Sequence, residues 1–167
     1  GLDLLNPVFG GATRQASIRL GLKSLEEFAP SKVLIHDGVR PFVSKRVISG
    51  VLEKLETHPA VIPAIIVEDT IKKYGDGKIE WTLERDNLWR AQTPQGFIYE
   101  DILNSHNAFK DLHFTDDSAL NEYAGIPVAI IPGSQNNFKI TTEEDFERAK
   151  RMVTTLLTNA KEEMRCG

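Results

Sequence analysis

Apolar positions recur along this chain at two periods. Between residues 14 and 28, Ile18, Leu22, Leu25 and Phe28 fall at helical spacing and predict an amphipathic helix that Pro30 ends. Val33-Leu34-Ile35 is a short apolar run that delivers the polar pair His36-Asp37, the pattern of a buried strand with polar groups at its carboxyl end. Ser44 caps a second helix with Val47, Ile48, Val51, Leu52 and Leu55 as its buried stripe. Residues 60–67 predict another strand, and Pro63 places it near an edge or at a bulge. Then the rhythm changes. Residues 70–74 and 78–83 flank Gly75-Asp76-Gly77 and predict a β-hairpin, with the whole excursion from 68 to 85 read as an arm. A helix over 98–109 follows, then a loop at 113–117, a short helix over 118–123 stopped by Gly125, and a strand over 128–131. Thr142 caps a last helix whose first turn, Glu143-Glu144-Asp145, is acidic. The sum is an α/β domain with an inserted hairpin.

Composition narrows what such a domain can do. At 167 residues the chain fits one domain, and 41% apolar and 26% charged residues are ordinary for a globular protein. A net charge of −4 argues against broad nucleic-acid binding, which needs a basic face, so any anion site has to be local. The single cysteine, Cys166, excludes an intrachain disulfide or a cysteine metal cluster. No apolar run reaches the ~18 residues of a membrane span, and Gly1-Leu2-Asp3 does not open a secretory signal. A cytoplasmic protein is the simplest expectation.

Three polar segments lie between the apolar runs: His36 to Pro41, Leu88 to Phe97, and Asn136 to Thr141. Loops of this kind, gathered at one rim of an α/β sheet, suit an anion-handling site, with phosphate the expected anion. Asp37 at a strand end can hold a metal ion or a substrate hydroxyl, Gly38 lets a ligand approach the backbone, and Arg40 can grip phosphate. A capping aspartate with a surface Asp–Arg pair would read the same way, and His36 reads as structural. Gly10 to Ser17 resembles a glycine loop opening a helix, where amides can approach a nucleotide and Ser17 can hydrogen-bond a base; a plain turn and cap fits as well. Thr70, Lys72 and Arg85 fit a solvated arm, Thr93 a turn, and Lys139 either an idle loop lysine or a phosphate neutraliser. Thr115-Asp116-Asp117 is either a metal pair or a helix start with Thr115 as the cap.

In order and spacing the segments together resemble the cytidylyltransferase family of the methylerythritol phosphate route to isoprenoids. The matching positions are Gly10-Gly11 with Arg14 and Ser17, His36-Asp37 with Arg40-Pro41, Asp69 to Lys72, Arg85 with Leu88-Trp89, Thr93-Pro94-Gln95, Thr115-Asp116, and Asn137 to Thr141, over residues 7–150. The resemblance implies a Rossmann-like nucleotidyltransferase with a mixed, mostly parallel sheet, working as a homodimer through arm 68–85. It assigns Gly11 and Ser17 to the cytosine end of CTP, and Asp37, Gly38 and Arg40 to the ribose and substrate region. It assigns Lys139 to phosphate charge, and Thr70 and Arg85 to the methylerythritol phosphate of the neighbouring subunit's site, with Thr93 and Thr115 lining the same pocket. Asp37, Arg85 and Lys139 are the candidate catalytic residues. Mg²⁺ is expected on the CTP phosphates, with no membrane and no nucleic acid among the partners.

The family opens on a strand and a glycine-rich loop with an arginine and a lysine, and nothing before Gly10 supplies them. A single cytidylyltransferase domain over 1–167, incomplete at its N-terminus and inactive alone, is the expectation, with fusion to a cyclodiphosphate synthase as one source. The competing readings are a sugar-phosphate nucleotidyltransferase of different base or acceptor, and a non-catalytic dimerisation domain.

Overall fold

The computed structural model describes residues 3–166; Gly1, Leu2 and Gly167 lie outside the described residues. Five strands make the main sheet: β1 (Lys32–Ile35), β2 (Ala60–Ile66), β5 (Trp89–Ala91), β6 (Gln95–Ile98) and β7 (Val128–Pro132). β6 runs antiparallel between β1 and β2, β5 continues it antiparallel along β2, and β7 lies parallel on the other side of β2. Three strands therefore point one way, with the β5–β6 pair opposed among them. The sheet is mixed, as expected, but not mostly parallel in its pairing: among the described residues β1–β6, β2–β6 and β2–β5 pair antiparallel and β2–β7 parallel. Its parallel strands end at residues 35, 66 and 132, so the segments that follow β1 and β7 emerge at one rim.

Register decides which side chains meet which layer. Ala60 sits opposite Phe97, and both join Leu22, Tyr99, Ile102 and Leu120 in the core beneath α1 (Arg14–Lys23), α3 (Tyr99–Ala108) and α4 (Asp117–Tyr123). One position on, Val61 sits opposite Gly96, and Val61 packs with Val51 and Leu55 beneath α2 (Lys45–Lys54). A Cβ on Gly96 would collide with Val51 Cγ1 and come within 2.7 Å of Leu55 Cδ1. Helix α2 is thus seated directly on the strand backbone. Tyr99 reaches through the first core to donate its hydroxyl to the Leu22 carbonyl at 2.7 Å, and burial, then the nearby Glu26 charge, raises its pKa above the usual phenol value.

Local signals account for most of the helix ends. Ser44 caps α2, accepting from the Val47 amide at 3.3 Å. Gly125, at φ +78°, follows α4. Thr142 and Asp145 form a reciprocal cap on α5 (Glu143–Cys166): the Asp145 amide donates to Thr142 Oγ1, and Asp145 Oδ2 accepts from the amides of Thr141 and Thr142. Those donors lower the Asp145 pKa to about 2 from 3.8. Because the folded value lies below the unfolded one, this cap contributes fully above pH 4 and is lost as pH falls from about 4 to about 2. A carboxyl-selective NMR titration should therefore show the Asp145 midpoint well below the ordinary aspartate value of 3.8.

Four further expectations need correction. The first helix ends at Lys23, and a 3-10 turn at Glu26–Phe28 carries the chain to Ala29, which is left-handed at φ 42° and turns it before Pro30 can act as the stop. The N-cap of α4 is Asp116, which accepts from the Ala119 amide at 2.9 Å, and not Thr115. Residues 88–97, read as a polar loop, hold β5 and β6. Pro63 lies in the central strand rather than at an edge. Its carbonyl accepts from the Gln92 amide at 2.8 Å, so its nitrogen also faces that side, opposite the break between β5 and β6. The missing donor falls where the ladder is already interrupted.

The arm is a separate two-stranded sheet, β3 (Lys72–Gly75) and β4 (Lys78–Thr82). Asp76 and Gly77 both have positive φ, 50° and 76°, as a two-residue hairpin turn requires. Ile79 and Trp81 stay 59% and 50% exposed, so the arm does not bury its apolar side chains on its own domain. No helix among the described residues is long and apolar enough to cross a membrane.

Candidate active site

The segment after β1 makes a tight turn, with the Arg40 amide donating to the Asp37 carbonyl at 3.0 Å. Thr93 locks this turn to the sheet. Its hydroxyl accepts from the Asp37 amide at 3.0 Å and donates to His36 Nδ1 at 2.9 Å, which leaves His36 Nε2 to donate to the Arg40 carbonyl at 3.0 Å. His36 is structural, as its sequence context suggested.

Asp37 is the centre of the charge arrangement. Arg40 Nε lies 3.2 Å from Oδ2, Lys139 Nζ 3.6 Å from Oδ2, and Arg14 Nη2 3.8 Å from Oδ1. These cations come from the turn after β1, the loop after β7 and the first residue of α1. Asp37 and Arg40 are mostly buried, whereas Arg14 and Lys139 keep half-exposed side chains able to meet a ligand. Together with Thr93, Thr115, Asp116, Gln92 and Gln95 they line a cavity of about 220 Å³.

Behind the cavity a buried polar lattice fixes the loops. Gln92 donates to the Ser134 carbonyl at 2.8 Å and accepts from the Ser134 amide at 3.0 Å, and Asn137 Nδ2 donates to the Thr93 carbonyl at 2.8 Å. Gln95 donates to Asp116 Oδ2 at 2.8 Å and accepts from the Ser118 amide at 3.1 Å. Arg14 is aimed from beneath by Asp117, whose Oδ2 lies 2.8 Å from Nη2, a charge contact off the hydrogen-bond line. Asp117 Oδ1 in turn accepts from Nε2 of the fully buried His106 at 3.0 Å. Sequence reasoning named Asp117 only as one of an acidic pair and Gln92, Gln95 and Asn137 only as members of polar segments, gave none of them its bracing role, and missed His106 altogether. Their one signal was the cost of burying such groups without partners, which becomes visible only when burial is known.

The structure brings Asp37, Arg40, Thr93, Thr115 and Lys139 to one cavity. Gly38 sits exposed beside it in the turn, with open space where a Cβ would point. Gly11 lies against the start of α1: a Cβ there would come within 2.6 Å of the Ala16 Cβ, and its amide donates to Ser17 Oγ at 3.0 Å. Ser17 gives its own proton to the Thr13 carbonyl at 2.9 Å, so toward a ligand it can act only as an acceptor. Thr70 and Arg85 stand apart at the base of the arm. Arg85 donates to the Glu68 carbonyl and lines a separate hollow with Ile66, Val67 and Asp86.

A carboxylate ringed by three cations at the carboxyl rim of a mixed α/β sheet suits a protein that handles phosphate groups, and comparison with known proteins makes the assignment narrower. The family described as 2-C-methyl-D-erythritol 4-phosphate cytidylyltransferase (IspD) matches residues 3–155. The bifunctional IspD/IspF enzymes of Paramagnetospirillum magneticum and Rhodospirillum rubrum are 51% and 52% identical over 150 and 149 residues, 90% and 89% of this chain. The chain spans 39% of the length of each of them. The crystal structure of the Thermus thermophilus cytidylyltransferase superposes with a TM-score of 0.80 at 34% identity, covering 88% of this chain and 72% of that one. The bifunctional IspDF of Campylobacter jejuni gives 0.71 at 28% identity over 84% of this chain and 35% of that one. The chain belongs to the 2-C-methyl-D-erythritol 4-phosphate cytidylyltransferase family.

Proposed function

We propose that the chain carries out cytidylyl transfer from CTP to 2-C-methyl-D-erythritol 4-phosphate with release of pyrophosphate. The observation that carries this reading is the Asp37 carboxylate with Arg14, Arg40 and Lys139 all within 4 Å, at the mouth of the one cavity that also gathers Thr93 and Thr115. A phosphate oxygen of the acceptor attacks the α-phosphorus of CTP. That P–O bond forms as the bond from the α-phosphorus to the β-phosphate's bridging oxygen breaks, and the electron pair leaves on pyrophosphate. The attacking phosphate is already anionic, so the reaction needs positioning and positive charge more than a strong base.

Each residue then has a chemical part. Lys139 meets charge growing on the α-phosphate, Arg40 holds the acceptor region, and Asp37 orients both cations and can accept from a substrate hydroxyl. Ser17, with only acceptor capacity left, suits the amino group of cytosine, with Gly11 allowing close approach. Thr70 and Arg85 serve the site of a second subunit. A magnesium ion would be held mainly through the CTP phosphates and would neutralise their charge, because the carboxylates at the cavity are already engaged, Asp37 by Arg14, Arg40 and Lys139 and Asp116 by Gln95 and the Ala119 amide. Among the described residues no three His, Cys, Asp or Glu side chains cluster as a metal cage would. A cytoplasmic location suits these substrates.

Pyrophosphate release, measured with CTP, methylerythritol phosphate and magnesium on the full-length gene product that contains residues 1–167, tests the reading. The expected result is turnover that requires both substrates and falls steeply when UTP, ATP or GTP replaces CTP. Equal use of all four nucleotides would overturn it. The homodimer is tested separately: Trp81→Lys, on the exposed arm, should shift the protein from dimer to monomer in analytical ultracentrifugation. A dimer of unchanged affinity in that variant would remove the arm from the interface.

A further inference from the structure

Lys139 stands in the loop between β7 and α5, and its ammonium is loosely held, 3.6 Å from its ion-pair partner Asp37. Where it points is therefore set by the backbone that carries it. Three ties fix that loop from the sheet side. Asn137 Nδ2 donates to the Thr93 carbonyl at 2.8 Å, the Asn137 carbonyl accepts from Arg40 Nη1 at 2.8 Å, and the Ile140 amide donates to the Val39 carbonyl at 2.9 Å.

Two further ties meet at Arg148, in the second turn of α5. Its Nη2 donates to the Gln135 carbonyl at 2.8 Å, and its guanidinium lies 3.9 Å from the centre of the Phe138 ring. The same ring stacks on Phe42, with centroids 5.7 Å apart and planes 24° from parallel. Phe138 is the residue next to Lys139, so what fixes the ring also fixes the backbone of the lysine. Among the described residues Arg148 has no carboxylate within 4 Å. Its charge is thus spent on a carbonyl and a ring of this one loop. A planar guanidinium can stack and donate at once, which an ammonium does less well. Phe42 and Arg148 both lie outside the motifs that carry the family resemblance.

We propose that Arg148 is a positioning residue for the transfer reaction, holding the Lys139 loop at the cavity through Phe138 and the Gln135 carbonyl. A displacement of about 1 Å in a group that meets charge in the transition state can cost up to about a hundred-fold in rate. The kinetic consequence rests on the cytidylyl-transfer reading; the ordering of the loop does not.

Hydrogen exchange followed by NMR on the full-length gene product tests the ordering. In R148A the Ile140 amide should exchange about ten-fold faster, while amides of the central strand β2 keep their wild-type rates. Equal exchange at Ile140 in the two proteins would overturn the proposal, as would a rise spread evenly over loop and core. Pyrophosphate release tests the consequence. R148A should lower kcat by about ten-fold or more with little change in the KM for either substrate, and R148K should recover part of the loss. In a K139A background the same change should cost almost nothing further, because the group that Arg148 positions is already gone. The same fold-loss with and without Lys139 would show that Arg148 acts elsewhere, and a raised KM with normal kcat would make it a substrate ligand; either result overturns the proposal. Were the wild type to transfer no cytidylyl group, that reading would fail while the exchange experiment still decided whether Arg148 orders the loop.

Discussion

Replacing Lys139 with alanine is expected to lower kcat for cytidylyl transfer by about a hundred- to a thousand-fold, in line with the loss of other preorganised donors that meet charge in the transition state. Lys139 leans on Asp37 at 3.6 Å and remains half exposed at the cavity mouth, so it is positioned before substrate arrives and free to turn toward it. Such a group contributes most where negative charge is being redistributed, at the α-phosphate. The KM for CTP should therefore change much less than kcat. Single-turnover kinetics with saturating CTP separate the two effects. A variant with near-normal kcat and a raised KM would make Lys139 a binding residue only.

The second large effect should come from Asp117→Ala. This carboxylate is 2% exposed and joins the wholly buried His106 to Arg14. Removing it strips His106 Nε2 of its acceptor inside the core and leaves Arg14 without its support from beneath. Breaking a buried pair of this kind costs on the order of 3 kcal/mol, which for a chain of this size lowers Tm by about 10 °C. Asp117→Asn keeps an acceptor for His106 while losing the charge that aims Arg14. It should therefore recover much of the stability but little of the activity. Scanning calorimetry and the pyrophosphate assay, run on both variants, check the separation. If Asn and Ala were equally active and equally unstable, Asp117 would be a packing residue without influence on the site.

These two residues also mark the boundary of what the chain's pattern could reveal. Lys139 was legible because it stands in a polar loop after an apolar run, and local periodicity reports where strands and helices deliver such loops. The same holds for Ser44, Thr142 and the Asp76-Gly77 turn, whose structural roles depend on neighbours a few residues away. Asp117 looked like an ordinary first-turn acid, because its partners His106 and Arg14 are 11 and 103 positions distant and only the packing of α3, α4 and α1 brings them together. Pro63 misled for a similar reason. A missing amide donor normally marks an edge, yet here it faces a break in a neighbouring strand that no local pattern could disclose. Gln92 and Gln95 stand in a polar stretch that suggests a ligand-facing loop, and the structure uses them as internal braces between β5, β6 and the loops beyond.

The contact between Gly96 and α2 has a consequence for how this sequence can drift. With no room for even a methyl group between the strand and Val51, alanine at position 96 should be rejected in the present background. In a chain where Val51 has first become alanine and Leu55 has been trimmed, the same change would fill the space it now cannot enter. Position 96 is thus conditional on Val51 and Leu55 one layer away, with Leu34 Cδ2 at 3.0 Å also having to give way slightly, and the order in which the substitutions arrive determines whether each intermediate folds.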